Sequence, residues 1–536
     1  MKGSFRTSMS WLHTWGGLSV GWLLYFMFIT GTAGYFVSEI DYWMQPEMPH
    51  LNETAEHSQL LLLAEQHLNS KAPTAKSWRI NLPSERERTL TVRWQDGDGR
   101  HKDILHPVSG DVVNVRDTGG GEQLYEMHYR LHYMPRTVAF IITSLCGMFM
   151  LIALITGLVI HKKIFIEFFT FRPGKKQRSW LDMHNILSVL PLPFHLMITY
   201  SGLIFLMFTT MPAIFLASYG VEEEGRQRFI SELRSTPTPI KATGNRMNLT
   251  SLPGLLEKAE NSWGQGNVSR FSIEHPGDSH ARITLQKRRV DQVSDEQKLI
   301  YHGVTGQLLS AVDDVGSSAS KSFYALMIRL HIGEFAGTAL RWLYFLSGLM
   351  GAGMIATGMV LWANKRRTKA DKSGRSSKGL VLVEHLNVGT ITGLPIAIAA
   401  YFLANRLIPL GLENRAEWEI NILFITWASM LVYPVFISKF KQVLAAIWVQ
   451  QLMLASMLYL MLPVINVMTS NKHLGASLLT ADWVRAGFDV SMLLIGLCFG
   501  LAAFKMQLKK QSAESQATAK AAKKTVPTML AEDVSP

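Results

Sequence analysis

The residues of this chain whose type and spacing offer the most chemistry are histidines set in or at the ends of apolar runs. His13 stands seventeen residues before Thr30-Gly31, and His184 seventeen before Ser201-Gly202. His132 and His331 precede two further runs that close on Thr156-Gly157 and Thr357-Gly358. His195 follows His184 by eleven residues, about three helical turns, which predicts a shared helix face and an axial separation of roughly 16 Å. His385 opens a later run. Ionisable side chains are costly in such surroundings. A single one serves as an interhelical hydrogen bond. A matched set on facing helices is what a bis-histidine b-type haem requires, one imidazole on each side of the iron. His13, His132, His184, His331, His195 and His385 are therefore the candidate ligands for haem iron, with two haems b expected at two depths.

The elements that must position them are apolar spans. The chain has 536 residues, 48% of them hydrophobic and only 18% charged, with a net charge of +12. That balance belongs to a membrane protein rather than to an ordinary soluble surface. Spans are expected within 1–37, 137–162, 180–218 and 331–364, with four more in 381–504, and the third, which holds Pro191, Pro193 and Pro212, is expected to kink or end before Pro212. The loops 163–179 and 365–380 are strongly basic: the stretch from His161 to Arg178 carries Lys162, Lys163, Arg172, Lys175, Lys176 and Arg178. Together with the Lys439/Lys441 turn they place both termini and the 505–536 tail, read as disordered, in the cytoplasm. The excess of basic residues is thus a topology signal, and no nucleic-acid partner is expected. Segments 38–136 and 219–330 then face outward, and each reads as a small α+β domain, a helix-like stretch followed by short alternating strands. The expected fold is an all-α polytopic membrane protein of about eight helices, internally duplicated as span, outer domain, span, with two outer α+β domains.

Other residues carry weaker signals. Cys146 and Cys498 both lie in apolar runs, which excludes a disulfide framework, a zinc site or a cysteine-held cluster. Glu384 precedes His385 and reads either as a helix cap or as an acid orienting an imidazole. Arg136, Arg329 and Arg341 read as interfacial anchors or as partners of haem propionates. His128 reads as an interfacial residue, and the Gly119-Gly120-Gly121 run as a flexible join. No dinucleotide fingerprint or phosphate loop is present, so electrons must come from a separate cytoplasmic reductase or a quinol. The spacing leaves the ligand pairing open: His13 with His184 and His132 with His331, or a pairing that uses His195 or His385.

The motifs "LHTWGG", "LH…ITGLVI", "DMHNIL" and "RLHIGEFAG…ATGMVLWANKRR" resemble the PepSY-associated transmembrane helix family of bacterial inner-membrane proteins, over roughly residues 5–367. The resemblance implies that the outer segments are PepSY-like domains in the periplasm. It also implies a di-haem reductase of the inner-membrane ferric-siderophore type. Such a protein releases Fe(II) from a ferric siderophore or other ferric chelate, and His13, His132, His184 and His331 occupy the motif positions. The rival readings are a siderophore or peptide permease and a non-enzymatic sensor or assembly factor.

Overall fold

The computed structural model describes residues 4–50, 55–84, 86, 89–161, 164–168, 170–175, 177–220, 222–234, 240–288, 297–312, 319–438 and 444–525. Lys162, Lys163, Lys176, Lys439 and Lys441 of the basic loops lie outside them. The chain divides into two compact units, Met1–Arg116 with Gly120–Gly358, and Asp117–Gly119 with Met359–Pro536.

In the first unit, α1 (Phe5–Ala33) starts from a Ser4 cap and continues through a 3₁₀ turn into α2 (Val37–Met44). Next come α3 (His57–Lys71), α4 (Gly120–Arg130), α5 (Arg136–Ile160) and the one-turn α6 (Ile164–Glu167). The third apolar run is broken. α7 (Gln177–Val189) and α8 (Leu192–Phe205) meet at a bend of 63°. Pro191 sits in the break, where its ring and missing N–H interrupt the hydrogen-bond ladder. His184 and His195 are therefore on different helical segments, which corrects the shared straight face expected from their spacing. Three short helices follow: α9 (Met207–Thr210), α10 (Pro212–Tyr219), which has a proline in its first turn, and α11 (Glu223–Arg234). α12 (Leu252–Trp263) and α13 (Ala319–Ile332) then lead to α14 (Thr338–Ser373).

The second unit continues with α15 (Lys378–Ile391), α16 (Gly393–Leu407), α17 (Arg415–Ser438), α18 (Leu444–Thr469), the short α19 (Leu474–Leu479) and α20 (Trp483–Thr525). α20 runs past the expected start of the tail at 505, through a stretch rich in Ala, Lys and Gln that favours helix. Among the described residues seven helices are long and apolar enough to cross a membrane, or eight if the bent pair is one span. The protein is thus a multi-pass membrane protein.

The two segments expected to face outward pool their strands in one sheet rather than forming separate domains. β1 (Ser77–Asn81), β2 (Leu90–Gln95) and β3 (Arg100–Leu105) of the first join β4 (Val268–Glu274), β5 (Arg282–Lys287), β6 (Lys298–His302) and β7 (Leu308–Val312) of the second. They make one sheet in the order β3-β2-β1-β4-β5-β6-β7. The junction is an antiparallel β1–β4 pair running from Ser77↔Glu274 to Asn81↔Arg270. Each half alone would expose an unpaired strand edge at β1 or β4, and joining them removes both. α3 and α12 cover one face through a single core that includes Leu60, Leu68, Trp78, Val92, Leu256, Phe271 and Ile283.

The duplication survives in detail. In the turn after β3, His106 Nδ1 accepts from the N–H groups of Val108 and Ser109; after β6, His302 Nδ1 accepts from those of Val304 and Thr305. The matching Val-Ser-Gly and Val-Thr-Gly turns end on Gly110 and Gly306, both at positive φ.

Candidate functional site

Four Ser/Thr-Gly pairs in the first unit each seat one histidine ring. A Cβ built on Gly157 of α5 would lie 3.4 Å from Cε1 of His13, and one on Gly358 of α14 would lie 3.2 Å from Cε1 of His184. One on Gly202 of α8 would lie 3.0 Å from Cε1 of His331. One on Gly31 of α1 would lie 3.4 Å from Cγ of His128. The imidazoles lie flush on the helix backbone: a side chain at Gly202 or Gly358 would crowd the ring, and one at Gly157 or Gly31 would just touch it.

The seats also fix the tautomer. His13 Nδ1 lies 2.9 Å from the Ala153 carbonyl and 3.3 Å from Thr156 Oγ1. His184 Nδ1 makes the equivalent pair of contacts with the Met354 carbonyl at 2.9 Å and Thr357 Oγ1 at 3.2 Å. His331 Nδ1 is 2.9 Å from Ser201 Oγ, and His128 Nδ1 bonds the Tyr125 carbonyl. The hydroxyls of Thr156, Thr357 and Ser201 donate to carbonyls of their own helices, so each turns a lone pair to the ring. A carbonyl and a hydroxyl so committed can only accept. Nδ1 is therefore the protonated nitrogen, and Nε2 keeps its lone pair. No hydrogen-bond partner is recorded for any of the four Nε2 atoms among the described residues.

The seated rings come in pairs. His13 and His184 have centroids 6.4 Å apart, with planes at 77°. His128 and His331 are also 6.4 Å apart, with planes at 23°. Metal–imidazole bonds of about 2 Å would put two ring centres on opposite sides of one ion at about 6.2 Å, adding about 1.1 Å from each nitrogen to its ring centre. The donor set, spacing and tautomer thus fit an ion held by two neutral imidazoles, each oriented by a carbonyl behind it. Among the described residues no group of three or more His, Cys, Asp or Glu is placed to hold a metal ion.

His13, His184 and His331 are thus brought into pairs, and His132 is not. The local text "RLH" occurs at Arg130–His132 and again at 329–331, which aligns His132 with His331. The helices end differently, however. α13 continues through His331 to Ile332, whereas α4 stops at Arg130 and leaves Leu131 and His132 at φ 52° and 44°. His132 Nδ1 lies 3.1 Å from Gln123 Nε2 in that turn. One turn of helix earlier, His128 takes the seat, a residue that sequence reasoning had set aside. The Thr30-Gly31 pair was the available signal, since it makes a fourth seat and needs a fourth ring.

His195 is fully buried on α8, and no second histidine ring neighbours it among the described residues. Its ring stands between Phe28 and Phe194, each 6.0 Å away, with Nε2 3.3 Å from the Ser347 carbonyl and Nδ1 without a partner. A Cβ on Gly351 would come within 3.0 Å of His195 Nε2. Seven residues separate Gly351 from Gly358 on α14, and seven separate His195 from Gly202 on α8, roughly 10 Å in each case. His195 therefore lies midway between the two pairs.

His385 is half-buried on α15 in the second unit. Its neighbour Glu384 is held by Arg367, whose Nε donates to Oε1 at 2.8 Å, and the helix is capped by Ser377. Glu384 is thus an ion-pair partner rather than a cap. Arg341 pairs with Glu39 and lies over Phe36, Arg136 lies over Phe140, and Arg329 is buried. Two further acids are buried. Asp182 lies between Arg172 and Arg178, and Glu419 accepts from Arg415, Asn405 and Thr118.

The glycine run at the start of α4 is a tight seat and not a flexible join. A Cβ on Gly120 would fall 2.0 Å from Asp41 Oδ1, and one on Gly121 would fall 2.8 Å from the Val37 backbone. Asp41 Oδ1 instead accepts from the Gly121 N–H at 2.7 Å, which locks the start of the helix carrying His128 onto α2.

The family described as the PepSY-associated TM region matches residues 10–365. That stretch holds all four seats. Uncharacterized protein PA4219 of Pseudomonas aeruginosa is 24% identical over 306 residues, which cover 54% of this chain and 73% of that relative.

Proposed function

The chain belongs to the PepSY-associated transmembrane family, and from that premise we propose that it is a two-haem membrane reductase. It would act on a ferric siderophore or other ferric chelate at the sheet side. The observation that carries the reading is the set of four seats: two histidine pairs at two levels, every Nδ1 held by an acceptor and every Nε2 left open. His13 and His184 would hold one haem b and His128 and His331 the other. When bound, the haems supply one-electron transfer between the two levels.

The chain's own residues do the rest. Thr156, Thr357 and Ser201 keep three imidazoles neutral and correctly turned, and the Tyr125 carbonyl does the same for His128. Phe28, Phe194 and Gly351 close the interval around His195 against water. In this reading the basic loops and both termini lie on the cytoplasmic side of the bacterial inner membrane, and the sheet stands in the periplasm as the PepSY-like part. The donor is a quinol or a cytoplasmic reductase.

The test is the reduced visible spectrum of the purified full-length protein with its haem stoichiometry. Two b-type haems per chain are expected in the wild type and in His132→Ala, and one in His128→Ala. A colourless wild-type protein defeats the proposal. Loss of a haem in His132→Ala but not in His128→Ala defeats the pairing.

A further inference from the structure

The face of the sheet turned away from α3 and α12 carries a cluster of like charges. Strand alternation sends Trp78, Ile80, Val92 and Trp94 to the core side and Arg79, Arg93, Arg100 and Lys102 to the other, where all four are exposed. The register sets them against one another: Arg79 is directly opposite Arg93, and Arg93 directly opposite Lys102. Arg100 follows two residues from Lys102, and Arg270 of β4 is diagonal to Arg79. Three strands at about 4.8 Å spacing and two residues along a strand give a patch of about 10 by 7 Å.

Like charges directly opposite on a sheet destabilise it. Here the arrangement is not relieved from within. Arg270 spends its guanidinium on Asn81 and Gln286. No hydrogen bond or ion pair is recorded for Arg79, Arg93 or Arg100 among the described residues. Partial desolvation, with the charges of Arg270, Arg93 and Arg100, holds the Arg79 guanidinium below its ordinary range. Among the described residues, the acids that act on the cluster from other elements are Asp41 of α2, on Lys102, and Glu122 of α4, on Arg93 and Lys102. They border the patch at Arg93 and Lys102, and no described acid pairs with Arg79 or Arg100. α4 is also the helix that seats His128, two turns further on.

We propose that this open face is the recognition surface for a polyanionic ferric chelate, with Arg79, Arg93 and Arg100 binding its carboxylate or phenolate oxygens and Lys102 and Arg270 flanking them. Planar guanidinium forks suit paired oxygens, and a compact patch suits one small polyanion better than a line of lipid headgroups. The identification of the anion as an iron complex rests on the reductase reading. The charge preference rests on the sheet alone.

The experiment uses the full chain in neutral detergent, with ferric citrate as the anionic probe and a monocationic ferric trihydroxamate as the comparison. Affinities are measured for both at two ionic strengths. The wild type is expected to bind ferric citrate more tightly, with a salt-sensitive affinity. The triple variant Arg79→Gln/Arg93→Gln/Arg100→Gln should weaken ferric citrate about tenfold or more and flatten the salt dependence, and leave the cationic complex within about twofold. Its haem content should not change, and its thermal midpoint should hold or rise as the repulsion is removed. Equal affinity of wild type and triple variant for ferric citrate overturns the proposal. So does a wild type that prefers the cationic complex, or one that binds anionic phospholipid vesicles without competition from ferric citrate. A haem-free wild type that still prefers ferric citrate would defeat the reductase reading and leave this site standing.

Discussion

Gly202→Ala is a small change with a calculable consequence. The added methyl would sit 3.0 Å from His331 Cε1, whereas ordinary carbon contacts begin at about 3.4 Å and are best near 3.5–4.0 Å. The ring must retreat by roughly 0.5 Å or more. It cannot do so freely, because its Nδ1 is tied to Ser201 Oγ at 2.9 Å and Phe205 and His128 stand beside it at 5.4 and 6.4 Å. Overpacking of this kind costs about 1–3 kcal/mol. If it falls on the occupied site it weakens retention of the second haem by roughly 5- to 150-fold. Gly17→Ala on α1 is the matched control, since a Cβ there meets nothing within 4 Å. The assay is haem per chain by pyridine haemochrome after repeated detergent exchange, with the reduced α-band followed separately. Gly202→Ala should shed one haem while Gly17→Ala keeps both. Retention of both haems, with unaltered bands, in Gly202→Ala and in the bulkier Gly202→Leu would refute the claim that this glycine seats a ligand.

Three further outcomes follow from the same geometry. Thr357→Val keeps the shape of the seat but removes the hydroxyl 3.2 Å from His184 Nδ1, leaving the Met354 carbonyl as acceptor; retention of that haem should drop about tenfold in a competition with apomyoglobin. Gly120→Ala combines a residue at φ 61° with a Cβ 2.0 Å from Asp41 Oδ1 and should lower the thermal midpoint by several degrees, with loss of the His128-held haem before the other. Asp278 is held at about 2 because its carboxylate accepts from the N–H groups of His280, Thr243 and Gly244 and from the Thr243 hydroxyl. A carboxyl lowered in the folded state contributes stability above its unfolded value of about 3.9, lost as pH falls toward 2. Hydrogen-exchange protection of residues 243–281 should decline over that window, and Asp278→Asn should flatten the decline.

The spans were legible because hydrophobic length alone specifies them. The strands were legible because alternation such as that of Trp78, Arg79 and Ile80 marks a half-buried sheet. The joining of β1 to β4 was not, because pairing across nearly two hundred residues leaves no local trace. The bend at Pro191 was foreseeable in kind but not in size. The candidate site was legible where residue and seat both sit in motifs, at His13, His184 and His331. At His132 the structure brings His128 to the seat instead, because identical text, Arg-Leu-His, sits in a continuing helix once and in a left-handed turn the other time. The difference is set by where α4 ends. The Arg79–Arg93–Lys102 row depends wholly on register, which a sequence of separate strands does not state.

His195 offers a sharper question, because the duplication does not repeat it. Eleven residues after His184 stands His195, and eleven after His13 stands Leu24. The second repeat thus holds a midway imidazole that the first fills with an apolar side chain, itself buried. An imidazole with a buried, unpartnered Nδ1 is expensive to keep unless it does something. His195→Leu copies the other repeat, fills a similar volume and removes the unsatisfied nitrogen. If His195 were an axial ligand, this variant would lose a haem. On the pairing argued here it should keep both haems and both α-bands, and gain about 1–2 kcal/mol of stability from the nitrogen removed, less whatever the lost Ser347 contact contributed. The effect should appear instead in the rate at which the second α-band develops after the first in stopped-flow reduction. Unchanged stoichiometry with slower development of that band would assign His195 to the interval between the levels, and a single remaining haem would return it to the ligand set.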